Sequence, residues 1–317
     1  MTNPITMNPD SRILITGGTG LVGHALSQLL ADEGYSNVIS VGSRDCDLRN
    51  NSAVSKLFSD ESPDYVFHLA ARVHGIGGNT LYKYDVLYEN VLINTNVIDC
   101  CRRSGVKKIV AMGSGCVYPE LPTVELLTED LIWDGPPHSS EDSYAHAKRL
   151  MLAQLDAAKK QYSLASAFAI SGNLFGPHDN FNIEEGHVTP SLVAKFFEAA
   201  RIGGAVKVWG SGRAIRDFTY SEDVARALMV IMEKIEGPVN MGSGFQHPIA
   251  DIVSSLSRIV GDSVSVEWDV SKPDGQLKRY YKLDKLENSG FTASVTLDEG
   301  IRRTYEWYAE NWQQARR

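Results

Sequence analysis

The chain has 317 residues, enough for one large α/β unit or two lobes sharing a cleft. Its 31 Lys and Arg against 39 Asp and Glu leave a net charge of −8, which argues against a generic binder of nucleic acid or of anionic membrane. Cys46, Cys100, Cys101 and Cys116 show neither metal-site spacing nor a secreted disulfide framework, and no run approaches the roughly 18 to 20 apolar residues of a membrane span, so a cytoplasmic setting is expected.

In chain order, residues 1–11 lack the features of a signal peptide and read as a disordered lead. RILIT (12–16) predicts a buried strand, after which Leu21, Val22, Ala25, Leu26, Leu29 and Leu30 recur at helical spacing. VISV (38–41), DYVFHLA (64–70), KKIVAM (107–112) and LASAFAI (164–170) predict further strands, separated by stretches long enough for helices. Residues 172–190 form a long Gly/Pro/Asn-rich segment before the helix SLVAKFFEAA, and loops of that length in a compact protein are often functional. Short strands near 206–209 and 238–241 and helices near 222–234, 248–260 and 297–313 complete the reading. Strands alternating with helices imply right-handed crossovers and a parallel sheet covered on both faces. The expected fold is α/β, a Rossmann-type doubly wound parallel sheet over 12–170, with some element after 215 returning to it. A smaller C-terminal α/β lobe over 171–317 is expected to hold substrate.

GGTGLVG (17–23) lies directly after the first strand and opens the first helix. Gly17, Gly20 and Gly23 suit a tight turn, close approach to a pyrophosphate and close helix packing, with the backbone at Leu21 and Val22 facing the phosphates. An ordinary glycine turn is the bland alternative. At the end of the second strand, VGSRDCDL places Ser43 and Arg44 where an NADP 2′-phosphate needs them, although Asp45 could instead hold a ribose hydroxyl. Asp47, Leu48, Leu69, Ala70 and Ala71 complete the expected cofactor wall.

Tyr144 and Lys148 sit four apart on one predicted helix and so share a face. An ammonium there is expected to pull the phenol's pKa toward neutrality and make Tyr144 a general acid. With the strand-end Ser114 and the glycine turn, this pattern resembles the extended short-chain dehydrogenase/reductase family. The resemblance implies that Ser114 and Tyr144 polarise a carbonyl while Lys148 holds the nicotinamide ribose.

HLAARVHGIGGNT, GSGCVYPE, GPPHSSEDSYAHAKR, NLFGPHDNFNIEEGHVTP, VWGSGRAIRDF and SKPDGQ narrow the likeness. Together they resemble the branch of that family that epimerises GDP-4-keto-6-deoxy-D-mannose at C3 and C5 and reduces it at C4. This implies NADPH as cofactor, a homodimer, and Cys116 and His187 as the proton-exchanging pair. It also implies cofactor contacts by Asn173, Leu174 and His187, diphosphate contacts by Lys195 and Arg216, a ligand-facing Trp209 and a hydrogen-bonding Asp274. Two departures stand out: Gly115 where Ser or Thr is usual, and SGN at 171–173 in place of a Pro-Thr-Asn-like run.

Each residue has a plainer reading, Cys116 as packing, His187 as a turn cap and Trp209 as core in a V-x-V-W strand. The nearest alternative activity is a 4-keto reductase of a related GDP-sugar, for instance a heptose, with partial or no epimerisation. More distant ones are a silent dinucleotide-binding protein and an epimerase that keeps NAD bound.

Overall fold

A computed structural model describes residues 5–120, 126–184, 186–272 and 278–317. The first half runs β1 (Ile13–Thr16), α1 (Leu21–Asp32), β2 (Val38–Val41), α2 (Asn51–Glu61), β3 (Tyr65–His68), α3 (Ile76–Leu81), α4 (Lys83–Arg103), β4 (Lys108–Met112), α5 (Asp142–Tyr162) and β5 (Ala165–Ser171). The second half contains β6 (Asn173–Phe175), α6 (Val188–Ile202), β7 (Gly204–Trp209), β8 (Ile215–Tyr220), α7 (Ser221–Lys234), β9 (Gly237–Met241) and β10 (Gln246–Pro248). It closes with α8 (Ile249–Val260), β11 (Val264–Asp269), α9 (Asp284–Glu287) and α10 (Leu297–Asn311).

Six parallel strands form the main sheet in the order β2-β1-β3-β4-β5-β9. Its strands are short apolar runs because both faces are covered. Leu14, Val66, Ile109 and Phe168 point to one side, where they meet Val54 and Phe58 of α2, Val97 of α4 and Met151 and Leu155 of α5. Ile13, Ile15, Phe67, Val110 and Ala169 point to the other, against Leu26 and Leu30 of α1 and Leu228 and Ile231 of α7. This two-residue alternation is what a strand imposes, and here both sets find apolar partners. Lys108 is buried inside the same sheet, and its Nζ donates to the carbonyls of Ile231 (2.9 Å) and Met232 (2.6 Å) near the end of α7. A charge in that strand is tolerated because it satisfies carbonyls that the helix end leaves open.

β1 has β2 on one side and β3 on the other, so the chain order reverses there and a crevice opens beyond the carboxyl ends of the strands. The second half packs α6, α8 and α10 around β7, β8 and β11 as a separate apolar cluster. From there α7 and β9 return to the main sheet, β9 pairing with β5 from Ala167↔Gly237 to Ser171↔Met241.

Two expectations are corrected. Residues 5–11 are packed rather than disordered: Met7 is buried, the Ile5 N–H donates to Glu233 O at 2.8 Å, and the Ser36 N–H donates to Pro9 O at 3.1 Å. The 172–190 segment is not all loop either, because Asn173–Phe175 pairs with Phe218–Tyr220 as a parallel strand. No helix among the described residues is long and apolar enough to cross a membrane.

Candidate active site

Past Thr16 the chain turns through the glycines into α1. Gly17 adopts φ +75°, and a Cβ on it would stand 2.8 Å from the backbone N of Ala70, at the end of β3. A Cβ on Gly23 would fall 2.4 Å from Gly17 O. These glycines let turn, helix and neighbouring strand end close on one another, which places Leu69 and Ala70 directly beside the turn, while Ala71 packs against the cluster of Cys116 and Tyr144. α1 starts at Leu21 after Gly20, which has no side chain to cap it, so its first N–H groups are available to an anion.

At the end of β2, Asp45 accepts the Gly42 N–H on Oδ2 at 2.8 Å, which folds its carboxylate back onto its own loop. Ser43 and Arg44 stay exposed beside it. Leu48 is buried, and Asp47 is engaged by Arg49 at 2.9 Å, which also reaches Glu89 at 3.4 Å. Arg49 is a rim cation that no sequence motif marked.

β4 ends at Met112, and Ser114 begins a 3-10 turn, Gly115–Val117, accepting the Cys116 N–H on Oγ at 3.5 Å. Opposite lies α5, whose apolar spacing buries the face carrying Tyr144 and Lys148. Lys148, 1% exposed, donates from Nζ to Met112 O at 2.7 Å and sits 5.5 Å from the Tyr144 ring centroid. The next residue, Arg149, donates Nε to Val117 O and Nη1 to Gly135 O, both at 2.8 Å. One helix therefore carries the Tyr-Lys pair and also pins the turn that carries Cys116. Cys116 and Tyr144 share a small buried cluster with Val86 and Ala145.

The protonation states follow from the surroundings. Burial pushes the Cys116 thiol up to about 12, with Glu141 adding to the effect. Burial also raises Tyr144, followed by Cys116 and Glu141, and lowers Lys148 to about 8. The expected lowering of Tyr144 by Lys148 is thus reversed in the free protein, since removing water from around a phenolate is costly and the neighbouring Cys116 and Glu141 add to the rise. Tyr144 keeps its proton at neutral pH, which still suits a general acid.

His187 precedes α6 as its N-terminal flanking residue, but its side chain caps nothing. The residue retains access to solvent yet its ring is crowded by protein, so burial lowers its pKa while Glu141 pulls in the opposite direction. Glu141 is the group that sequence reasoning missed. It acts electrostatically on Cys116, Tyr144, His187 and Arg216, and it pairs with Arg279 at 3.4 Å. No local spacing could reveal a pair separated by 138 positions.

In the second lobe, Lys195 of α6 and Lys272 place their Nζ atoms 5.6 and 5.4 Å from the centroid of the Trp209 ring. Trp209 is 59% exposed, which removes its reading as plain core. A pocket of about 310 Å³ is lined by Lys195, Glu198, Lys207 and Trp209 among others. Arg216 on β8 is half-buried and donates to its neighbour's carbonyl, Ile215 O, at 2.8 Å. Asn173 and Leu174 lie on β6, just past the carboxyl end of β5. Asp274 lies outside the described residues.

Residues 13–242 match the NAD dependent epimerase/dehydratase family. A putative GDP-L-fucose synthase 2 of Arabidopsis thaliana is 35% identical over 308 residues, covering 96% of this chain and 94% of that protein. A GDP-L-fucose synthetase from Naegleria fowleri bound to NADP superimposes with a TM-score of 0.93 at 35% identity, over 100% of this chain and 98% of that one. A GDP-6-OMe-4-keto-L-xylo-heptose reductase from C. jejuni follows at TM-score 0.90 and 28% identity, over 96% and 99%. Fold, glycine turn and full-length likeness agree: the chain belongs to the NAD dependent epimerase/dehydratase family and, within it, groups with the GDP-L-fucose synthases.

Proposed function

We propose that the chain is a GDP-L-fucose synthase, which epimerises GDP-4-keto-6-deoxy-D-mannose at C3 and C5 and then reduces it at C4 with NADPH. The observation that carries this reading is the meeting of the Ser114–Cys116 turn with Tyr144 and Lys148 at the carboxyl edge of the sheet, beside the glycine turn.

The residues present fit NADP. The cradle that a Cβ on Gly17 or Gly23 would fill suits the pyrophosphate, with N–H groups near Leu21 and Val22. With the Asp45 carboxylate engaged by the Gly42 N–H of its own loop, Ser43 and Arg44 are the groups left for a 2′-phosphate. Leu69, Ala70, Ala71, Lys148, Asn173, Leu174 and His187 would line the remainder, with Asp47 and Leu48 at the rim. When bound, NADPH supplies the hydride that reaches C4.

A ketone at C4 acidifies the hydrogens on C3 and C5. Inverting either carbon needs a proton removed from one face and another returned on the opposite face, so two groups are required. Cys116 and His187 serve as this pair. Ser114 and Tyr144 donate hydrogen bonds to O4 as negative charge develops, first on an enolate and later on the alkoxide. Tyr144 then gives O4 its final proton, and Lys148 beside it limits the cost of the charge left behind. Lys195 and Arg216 hold the diphosphate, Trp209 packs against the nucleotide, and Asp274 is assigned to the ligand by the resemblance. Residues 12–170 thus serve the cofactor and 171–317 mainly the substrate. The exposed rings of Tyr84 and Tyr88 on α4, which packs on α5, offer a face to a second copy of the chain.

The likeness to the C. jejuni heptose reductase supports a second reading, reduction of a related GDP-sugar with less epimerisation. The test is incubation with GDP-4-keto-6-deoxy-D-mannose in deuterated water without NADPH, followed by NADPH and identification of the product. Deuterium at C3 and C5 with GDP-L-fucose as product is the expected result. Reduction without deuterium at either carbon would favour the second reading.

A further inference from the structure

Gly115, between Ser114 and Cys116, has no side chain, and the room beside it is filled from a distant part of the chain. A Cβ on Gly115 would stand 1.9 Å from the Tyr281 hydroxyl and 2.7 Å from Cζ. A Cβ on Gly172, just past the end of the neighbouring strand β5, would stand 3.2 Å from Cε2 of the same ring. Two glycines at adjacent strand ends therefore clear space for one phenol, which lies at the carboxyl edge beside the reacting groups.

The ring is firmly held. Leu127 N–H donates to Tyr280 O at 2.7 Å and Lys282 N–H to Leu127 O at 2.9 Å, fixing the backbone on both sides of Tyr281. Its ring leans on Tyr118, with centroids 6.0 Å apart, and Arg279 hydrogen-bonds the phenol while pairing with Glu141. Only 9% of Tyr281 is exposed. A chain of contacts, Glu141 to Arg279 to Tyr281, thus ends with a hydroxyl against Gly115, the residue between Ser114 and Cys116 in the chain.

Resting on the function proposed above, we propose that Tyr281 is a substrate-positioning and specificity-determining residue. Its hydroxyl offers the 4-keto sugar a hydrogen-bonding group at the spot a side chain on residue 115 would occupy, with Arg279 setting its direction. The phenol takes no proton from carbon; it fixes the ring so that Cys116 meets the acidic hydrogen.

The test compares wild type with Tyr281→Phe, which keeps the ring and removes the oxygen. Uptake of solvent deuterium at C3 and C5, the KM for the 4-keto sugar and NADPH affinity are measured. Loss of one neutral hydrogen bond predicts about a tenfold rise in KM or fall in deuterium uptake, with NADPH affinity unchanged. Values within twofold of wild type would overturn the proposal. A second arm uses Gly115→Ser, Tyr281→Leu and the double variant. Gly115→Ser is expected to be impaired by the clash, and adding Tyr281→Leu to restore deuterium uptake, since one hydroxyl then replaces the other. A double variant no better than Gly115→Ser would count against the proposal, and should Gly115→Ser not fold, Tyr281→Phe decides. Wild type failing to exchange or reduce this sugar would instead defeat the proposed function, so the two failures are distinguishable.

Discussion

Cys116 and His187 receive opposite treatment from their surroundings. The thiol is buried and held far toward its neutral form, whereas His187 keeps solvent access and its imidazole is pulled downward by crowding and upward by Glu141. Cys116→Ser preserves size and the hydrogen bond to Ser114 but exchanges the thiol for a far weaker acid. Uptake of deuterium at C3 and C5 is expected to fall about 10²- to 10⁴-fold, the usual contribution of a positioned acid or base, with NADPH affinity unchanged. Tyr144→Phe removes the proposed proton donor for O4 and is expected to lower kcat for reduction by a comparable factor. Wild-type exchange in the serine variant would show that the sulfur handles no proton. The Tyr-Lys pair was legible because four positions on a helix are one turn. Tyr281 was invisible because nothing near residue 115 announces what fills its empty side.

The segment that leads from β5 into α6 carries His187 within electrostatic reach of Glu141, and it contains a buried carboxyl group. Asp179 is buried, and among the described residues its Oδ2 has no hydrogen-bond partner. Burial pushes its pKa from the ordinary 3.8 up to about 7. The folded state therefore holds a proton that the unfolded chain releases near 3.8. Stability contributed by this group is present below that value, declines as pH rises toward 7, and is gone above. Asp179→Asn should therefore raise the melting temperature more at pH 8 than at pH 5, by the equivalent of up to a few kcal/mol. Equal gains at the two pH values in a thermal scan would contradict this account. Periodicity could identify α6 but not this acid, because a carboxylate's cost depends on how much water the tertiary packing leaves around it.

Across the whole molecule, α4 and α5 cover one face of the sheet and are tied together by Lys83 and Asp142 at 2.9 Å. On their outer side Tyr84 (73% exposed) and Tyr88 (51% exposed) stack with centroids 5.8 Å apart. If this is the face that meets a second copy, Tyr84→Glu with Tyr88→Glu should convert a dimer to a monomer by light scattering, with the unfolding transition still cooperative. An unchanged mass would place the contact elsewhere.

The sequence alone determined the strands of the main sheet, the glycine turn and the pairing of Tyr144 with Lys148, because each rests on spacing within one element. Only the tertiary structure turned Asp45 back onto its own loop, seated Met7 and Ile5 against the protein, drew Asn173–Phe175 into a strand and set Glu141 against Arg279. It also decided that Tyr144 rises rather than falls in pKa. These outcomes depend on burial and on contacts between residues far apart in the chain, and neither desolvation nor long-range contact leaves a local pattern to read.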